Sequence, residues 1–315
     1  MNSQIKLAII AIAIVIPLAS FAVTQPSFNS EISTTENSKL QVITSATFLY
    51  EFSQNVGKEM IDVTLLVPMG ADPHDWEPTI RDREKLQKAD VIIVNGIGYE
   101  HWLGSFDSND NQGILVDTSN GISTLDSEKH DDHAKEDGHE EEDKHNHGDL
   151  DPHIWLNPVY AQLQVKNIAN ALSNSDPTNK NYYQSNAAIY NKELDLLDSK
   201  IRTELSGCKT DFITFHNAFS YFSEEYGLTQ HTIISSTDSH GEVTPKTLEN
   251  IISLARDLDI KVIFAEESTS TKTSQVIADE IGGKVLVLSP LEIVSDETYV
   301  EKMTQNLNNL KDALC

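Results

Sequence analysis

Three histidines of this 315-residue chain sit in contexts suited to holding a metal ion. His74 lies in Asp72-Pro73-His74-Asp75-Trp76 and His153 in Asp151-Pro152-His153-Ile154-Trp155, so the pattern Asp-Pro-His-x-Trp occurs twice. The proline before each histidine has a fixed φ and restricts its loop, which lowers the ordering cost of presenting an imidazole to an ion. His216 directly follows the apolar stretch 212–215. Neutral imidazole nitrogen is a favoured zinc ligand, and three of them leave one position open on a tetrahedral ion. Asp72 and Asp151 either receive the second ring proton of a histidine or cap a turn, and Trp76 and Trp155 either shield the ion from water or pack in the core. His101, His231 and His240 read as surface, packing or loop residues.

Alternating elements must position these side chains. Strands are expected at 40–45, 62–67 and 91–94, with helices at 47–57 and 80–88 between them. Val91-Ile92-Ile93-Val94, bounded by Asp90 and Asn95, has the character of a central parallel strand. From 157 to about 205 the pattern is helical, broken near 173–177, with Ile189, Leu194, Leu197 and Ile201 at roughly helical spacing. The alternation then resumes, with strands at 212–215, 232–234, 262–265 and 285–288. Helices are expected from 217, over 245–258 and 273–281, and from 297. This predicts an α/β fold of two parallel-sheet lobes joined by a long helix, with the metal site in the cleft between them, since ligands gather beyond the carboxyl ends of such strands. The domain boundaries are an N-terminal lobe at 39–156, linking helices at 157–206 and a C-terminal lobe at 207–315.

The first residues set the compartment. Lys6 precedes an uncharged run from Leu7 to Val23 that ends in Ser20-Phe21-Ala22, a small-x-small cleavage pattern, so 1–23 reads as a secretory signal or an N-terminal anchor. The polar stretch 24–38 is expected to be a flexible tether. An exported chain is exposed to an oxidising environment, and its two cysteines, Cys208 and Cys315, are expected to pair and pin the last helix to the second lobe. A formal charge of −26, from 49 acidic and 23 basic residues, argues against nucleic acid or anionic lipid as partner and for cations.

Residues 126–150 form an insert in the first lobe. From Asp126 to Asp151 the chain carries twelve acidic residues, three lysines and five histidines: His130, His133, His139, His145 and His147. No core can form there. The composition predicts a metal-collecting loop with weak, exchanging sites, and deleting 127–149 should remove weak extra equivalents while sparing the tight site.

From about Lys39 to Cys315 the chain resembles the zinc-type, ZnuA-like, metal-binding solute-binding proteins of ATP-binding-cassette importers. The resemblance is carried by Gly70-Ala71-Asp72-Pro73-His74-Asp75-Trp76-Glu77-Pro78-Thr79, Lys88-Ala89-Asp90-Val91, Asp151-Pro152-His153-Ile154-Trp155-Leu156-Asn157-Pro158 and Phe215-His216-Asn217-Ala218-Phe219-Ser220-Tyr221. It implies two lobes with a linking helix, His74, His153 and His216 as metal ligands, and an importer permease as partner. Manganese-type relatives have a carboxylate where His216 stands, so the zinc branch is implied. One position departs from the pattern: an aspartate is usual where this chain has Ser289, before Pro290-Leu291. A serine hydroxyl is a poor zinc ligand, so a water is expected as the fourth ligand, with Glu266, Glu267 or an insert carboxylate as alternatives.

The reading is therefore an extracytoplasmic, monomeric protein that captures Zn2+ and delivers it to a permease, with zinc bound far more tightly than manganese. Binding of manganese or another divalent metal by an adhesive surface protein is the alternative. A zinc hydrolase is disfavoured by the absence of an H-E-x-x-H helix, a G-x-S-x-G elbow or a phosphate loop.

Overall fold

The computed structural model describes residues 39–68, 71, 73–105, 113–125, 150–234, 243–267 and 271–315. The expected leader and tether, the insert as far as residue 149, and Asp72 and His240 lie outside the described residues. Within the rest, two four-stranded parallel sheets repeat one topology. The first has the order β2-β1-β3-β4, from strands β1 (Leu40–Thr44), β2 (Ile61–Leu65), β3 (Val91–Val94) and β4 (Ile114–Asp117). The second has the order β6-β5-β7-β8, from β5 (Asp211–Thr214), β6 (Thr229–Thr232), β7 (Val262–Ala265) and β8 (Lys284–Val287). The central strands β3 and β7 are buried at every residue, as their continuous apolar sequences require. In each sheet the strand order reverses across the β1/β3 or β5/β7 pair, which opens a crevice at the carboxyl ends of those strands.

Helices α1 (Thr47–Gly57), α3 (Pro158–Ser175), α4 (Lys180–Leu205) and α8 (Tyr299–Leu314) lie between the sheets. One continuous core joins Val42, Phe52, Trp155, Leu172, Leu194, Phe212, Phe264, Tyr299 and Met303, so side chains of both lobes are packed into a single cluster. Two smaller clusters cover the outer faces: Ile43, Leu86, Ile92 and Trp102 under α2 (Ile80–Lys88), and Ile213, Ile251, Ile263 and Ile277 under α6 (Pro245–Asp257) and α7 (Lys272–Ile281). The remaining helix, α5 (Ser220–Tyr226), follows β5.

The link between lobes is two antiparallel helices. Asp176-Pro177 breaks them because a residue before proline avoids the helical region, and Asp176 then accepts hydrogen bonds from Asn179 N and Tyr183 Oη. Helix α4 packs on α3 and α1 on one side and on α8 and α5 on the other. Its buried stripe is Tyr183, Ala187, Tyr190, Leu194, Leu197, Ile201 and Leu205. Ile189 is 58% exposed, contrary to the sequence reading, because it stands five residues before Leu194 and falls off the stripe that Tyr190 completes.

Cys208 and Cys315 are bonded, with Cα atoms 4.7 Å apart. The bridge closes 107 residues of sequence and ties the end of α8 to the turn before β5. Removing both thiols (Cys208→Ser with Cys315→Ser) is expected to cost roughly 2–5 kcal/mol of stability through the unfolded chain's regained freedom. Denaturant titration of the metal-free protein reads this directly, and zinc affinity should be unchanged because the bridge is remote from the histidines.

Candidate metal centre

His153 and His216 stand at the ends of ordered elements, and His74 in a turn between two of them. His74 lies in the turn after β2, ahead of α2, whose start is fixed by a capping box between Thr79 and Asp82. His153 precedes a short 3-10 turn, Ile154–Leu156, and then α3, which Asn157 caps and Pro158 opens. Two further bonds fix the loop before it: Asn95 Nδ2 donates to Pro152 O at 2.9 Å and Tyr221 Oη to Asp151 O at 2.7 Å. His216 stands at the end of β5, in the second sheet's crevice, where Thr214 Oγ1 and Gln230 Nε2 donate to its carbonyl.

The three meet, although the last lies 142 residues from the first in sequence. His153 Nε2 and His216 Nε2 are 3.3 Å apart. A fourth group joins them: Glu292 Oε1 lies 2.8 Å from His74 Nε2 and 3.4 Å from His153 Nε2. One ligand atom from each of His74, His153, His216 and Glu292 lies within 4.8 Å of the others, and all four residues are buried. Among the described residues this is the one group of three or more such side chains so placed.

Carboxylates fix the two innermost rings. Asp151 Oδ1 accepts from the His153 backbone N–H and contacts its Nδ1 at 2.8 Å; Glu266 Oε1 does the same for His216, at 2.6 Å from Nδ1. With Nδ1 donating to a carboxylate, the Nε2 lone pair is aimed at the cluster centre, which is the arrangement a metal-ligating histidine needs. Burial opposes charge on His153, but Asp151 and Glu292 outweigh it and push its pKa up to about 9. Glu292 is also buried, yet His74 and His153 hold its carboxyl well below the usual range. Two more buried oxygens, Asp151 Oδ2 and Glu266 Oε2, have no hydrogen-bond partner, so the site carries negative charge that a divalent cation would offset.

A water is expected from the sequence as fourth ligand, and Glu292, the fourth member of this cluster, is not named there. Of the alternatives, an insert carboxylate lies outside the described residues and the two glutamates are engaged elsewhere. Glu266 holds His216; Glu267 accepts from Ser289 Oγ and pairs with Lys302. The Ser289 hydroxyl, which donates to Glu267, also accepts from Leu291 N at 3.2 Å. One sequence signal could have revealed Glu292: it is a single acidic residue between Pro290-Leu291 and Ile293-Val294, where a carboxylate has no reason to be buried unless it has a partner. Of the open alternatives, Asp151 proves to receive the ring proton. Trp76 packs edge-on against Trp102 in the outer core, whereas Trp155 lies with its ring centroid 5.1 Å from that of His153. His101 is exposed in a short helical turn, and His231, on strand β6, pairs with Asp211 of β5.

A two-lobed α/β protein whose facing loops converge three imidazoles and a carboxylate on one point belongs to the class of metal-binding solute receptors. Comparison with known proteins places it within that class. The profile of the family described as "ZnuA: Zinc-uptake complex component A periplasmic" matches residues 42–313, and the chain belongs to this family. It is 39% identical over 285 residues to the high-affinity zinc uptake system protein ZnuA of Bacillus subtilis, covering 88% of each chain. It is 31% identical to the zinc-binding lipoprotein AdcA of Streptococcus pneumoniae, of which it spans 55%. Among solved structures, one of ZnuA superposes with a TM-score of 0.77 at 30% identity, covering 88% of this chain and all of that one. The laminin-binding protein Lmb of Streptococcus agalactiae, described as having adhesin and metal-transporting activity, superposes with a TM-score of 0.75 at 26% identity, covering 87% of this chain and 99% of that one.

Proposed function

We propose that this protein captures Zn2+ outside the cytoplasmic membrane through His74, His153, His216 and Glu292 and passes it to the permease of an ATP-binding-cassette importer. The observation that carries the reading is the convergence of four ligand atoms from four separate loops within 4.8 Å. Membership of a zinc-uptake family supports the metal and the transport role. Three imidazoles and one carboxylate suit zinc, whereas manganese favours oxygen-rich sites. Four protein donors would complete a tetrahedral shell, leaving no position for a metal-bound water nucleophile; this supports binding over hydrolysis. The protein acts as a monomer, exported by its leader or tethered through it, and the insert at 126–150 raises the local metal concentration. No helix among the described residues is long and apolar enough to cross a membrane.

Proton release tests the site. Asp151 and Glu292 push the His153 pKa up to about 9, so zinc binding at pH 7 is expected to displace a proton from it. Calorimetry in buffers of different ionisation enthalpy should find about one proton released per tightly bound zinc at pH 7, a number that falls as pH rises through about 9. Zinc affinity should accordingly weaken as the solution is made more acid. Binding that releases no proton at pH 7 and keeps the same affinity from pH 8 to 6 would contradict the raised His153 pKa and the ion pair with Glu292 behind it.

A further inference from the structure

Glu292, like His74, stands outside the regular elements. It lies in an irregular segment between β8 and α8, and no hydrogen-bonded element carries it. The residue before it, Leu291, has φ +62°, a left-handed conformation that is unfavourable for a side chain with a Cβ. Such a conformation persists only where surrounding contacts impose it. Within the segment Leu291 N donates to Ser289 Oγ, and two hydrogen bonds from the other lobe add to the constraint. Trp155 Nε1 donates to Pro290 O at 2.8 Å and Thr47 Oγ1 to Leu291 O at 2.8 Å. Both donors come from the first half of the chain, while the carbonyls they hold are the two that precede Glu292.

Trp155 is itself tightly packed. Its ring is fully buried, stacked on Phe48 at 4.2 Å between centroids, and its own carbonyl accepts from Tyr299 Oη at 2.7 Å. It is two residues beyond His153, and its hydrogen-bond partner is two residues ahead of Glu292. A single indole thus fixes the distance between two groups of the cluster that come from different lobes. On the opposite side of the segment, Asn306 of α8 grips Ser289, accepting from its N–H and donating to its carbonyl. Asn306 anchors the segment within its own lobe; Trp155 and Thr47 aim it across the seam.

The geometry points to Trp155 and Thr47 as positioning residues that set Glu292 as the fourth metal ligand, so that the full donor set exists only when the two lobes are docked. This rests on the site proposed above and adds to it the groups that complete it. Hydrogen-bonding partners behind metal ligands typically contribute about 10- to 100-fold in affinity. Trp155→Phe removes the indole N–H and keeps an aromatic ring; Thr47→Val removes the hydroxyl with little change of shape.

The test is a double-mutant cycle on the full-length protein, with Zn2+ affinity read by chelator competition and the visible spectrum of the Co2+-loaded protein as a second readout. Each single variant should weaken zinc by about tenfold and shift the cobalt bands toward those of Glu292→Gln. In a Glu292→Gln background, neither change should weaken zinc by more than about twofold, because the ligand they position is already lost. Thr47→Val, which leaves the core intact, carries the test if Trp155→Phe does not fold. Losses that persist undiminished in the Glu292→Gln background, or variants that bind zinc like the parent protein, would overturn the proposal. An unchanged affinity in Glu292→Gln alone would instead remove Glu292 from the site, and the two failures are thereby distinguished.

Discussion

Alanine in place of His153 is expected to lower zinc affinity by at least about a hundredfold, roughly one ligand's share of a four-donor zinc site. His153 is the hub of the cluster: its Nε2 lies 3.3 Å from that of His216 and 3.4 Å from Glu292, and its Nδ1 holds Asp151. The same change should destabilise the metal-free protein by about 3–5 kcal/mol, since Asp151 would be left as a buried carboxylate without its partner. Chelator competition measures the first effect and thermal unfolding without metal the second. His101→Ala and His231→Ala, which alter histidines outside the cluster, should leave zinc affinity unchanged. Equal losses at those positions would mean that histidine content rather than this geometry governs binding.

Glu292→Gln is expected to produce the second-largest effect and a distinctive pattern. The side chain keeps its size and loses its charge, so zinc should weaken by about 10- to 100-fold and manganese by more, because the hard ion loses its only carboxylate donor in the cluster. The pH dependence has a definite sign. Glu292 is one of the two carboxylates that push the His153 pKa up to about 9. Without it the imidazole loses its proton at lower pH, and the competition between proton and metal is relaxed. The affinity ratio between parent and variant should therefore be smaller at pH 6 than at pH 8. A ratio that grows on acidification would contradict the ion pair inferred between these groups.

Much of this is legible in the sequence because local chemistry and long-range placement agree. Helices α1 and α2 and the strands β3 and β7 fall at their expected residues, since each is bounded by a clear apolar pattern or cap. The repeated Asp-Pro-His-x-Trp pattern marks His74 and His153, and the end of an apolar strand marks His216. What the sequence obscures is physical too. Strand β4 gives no such signal: it is an edge strand with Ile114 and Leu115 exposed, so it lacks the apolar burial that announces β3. Strand β6 starts earlier than the sequence pattern suggests because Ile233 and Ile234, just beyond it, are buried, whereas its own Thr229-Gln230-His231-Thr232 is polar. Glu292 is hidden because its role depends on a left-handed turn at Leu291 and on donors more than a hundred residues away, and neither leaves a periodic trace.

The shared core also bears on how metal is held. Lobes joined by a flexible linker would leave the two halves of the site free to part, whereas here α1, α3, α4 and α8 are packed into one cluster with residues of both sheets. Separating the lobes would break seam contacts such as Thr47 Oγ1 to Leu291 O and Trp155 Nε1 to Pro290 O.

The most direct test of the central claim is zinc K-edge X-ray absorption on protein lacking residues 127–149 and loaded with one equivalent of zinc. The account predicts three imidazole nitrogens at about 2.0–2.1 Å and one carboxylate oxygen at about 2.0–2.2 Å. A first shell with one imidazole or none, or a truncated protein that retains no zinc, would contradict it.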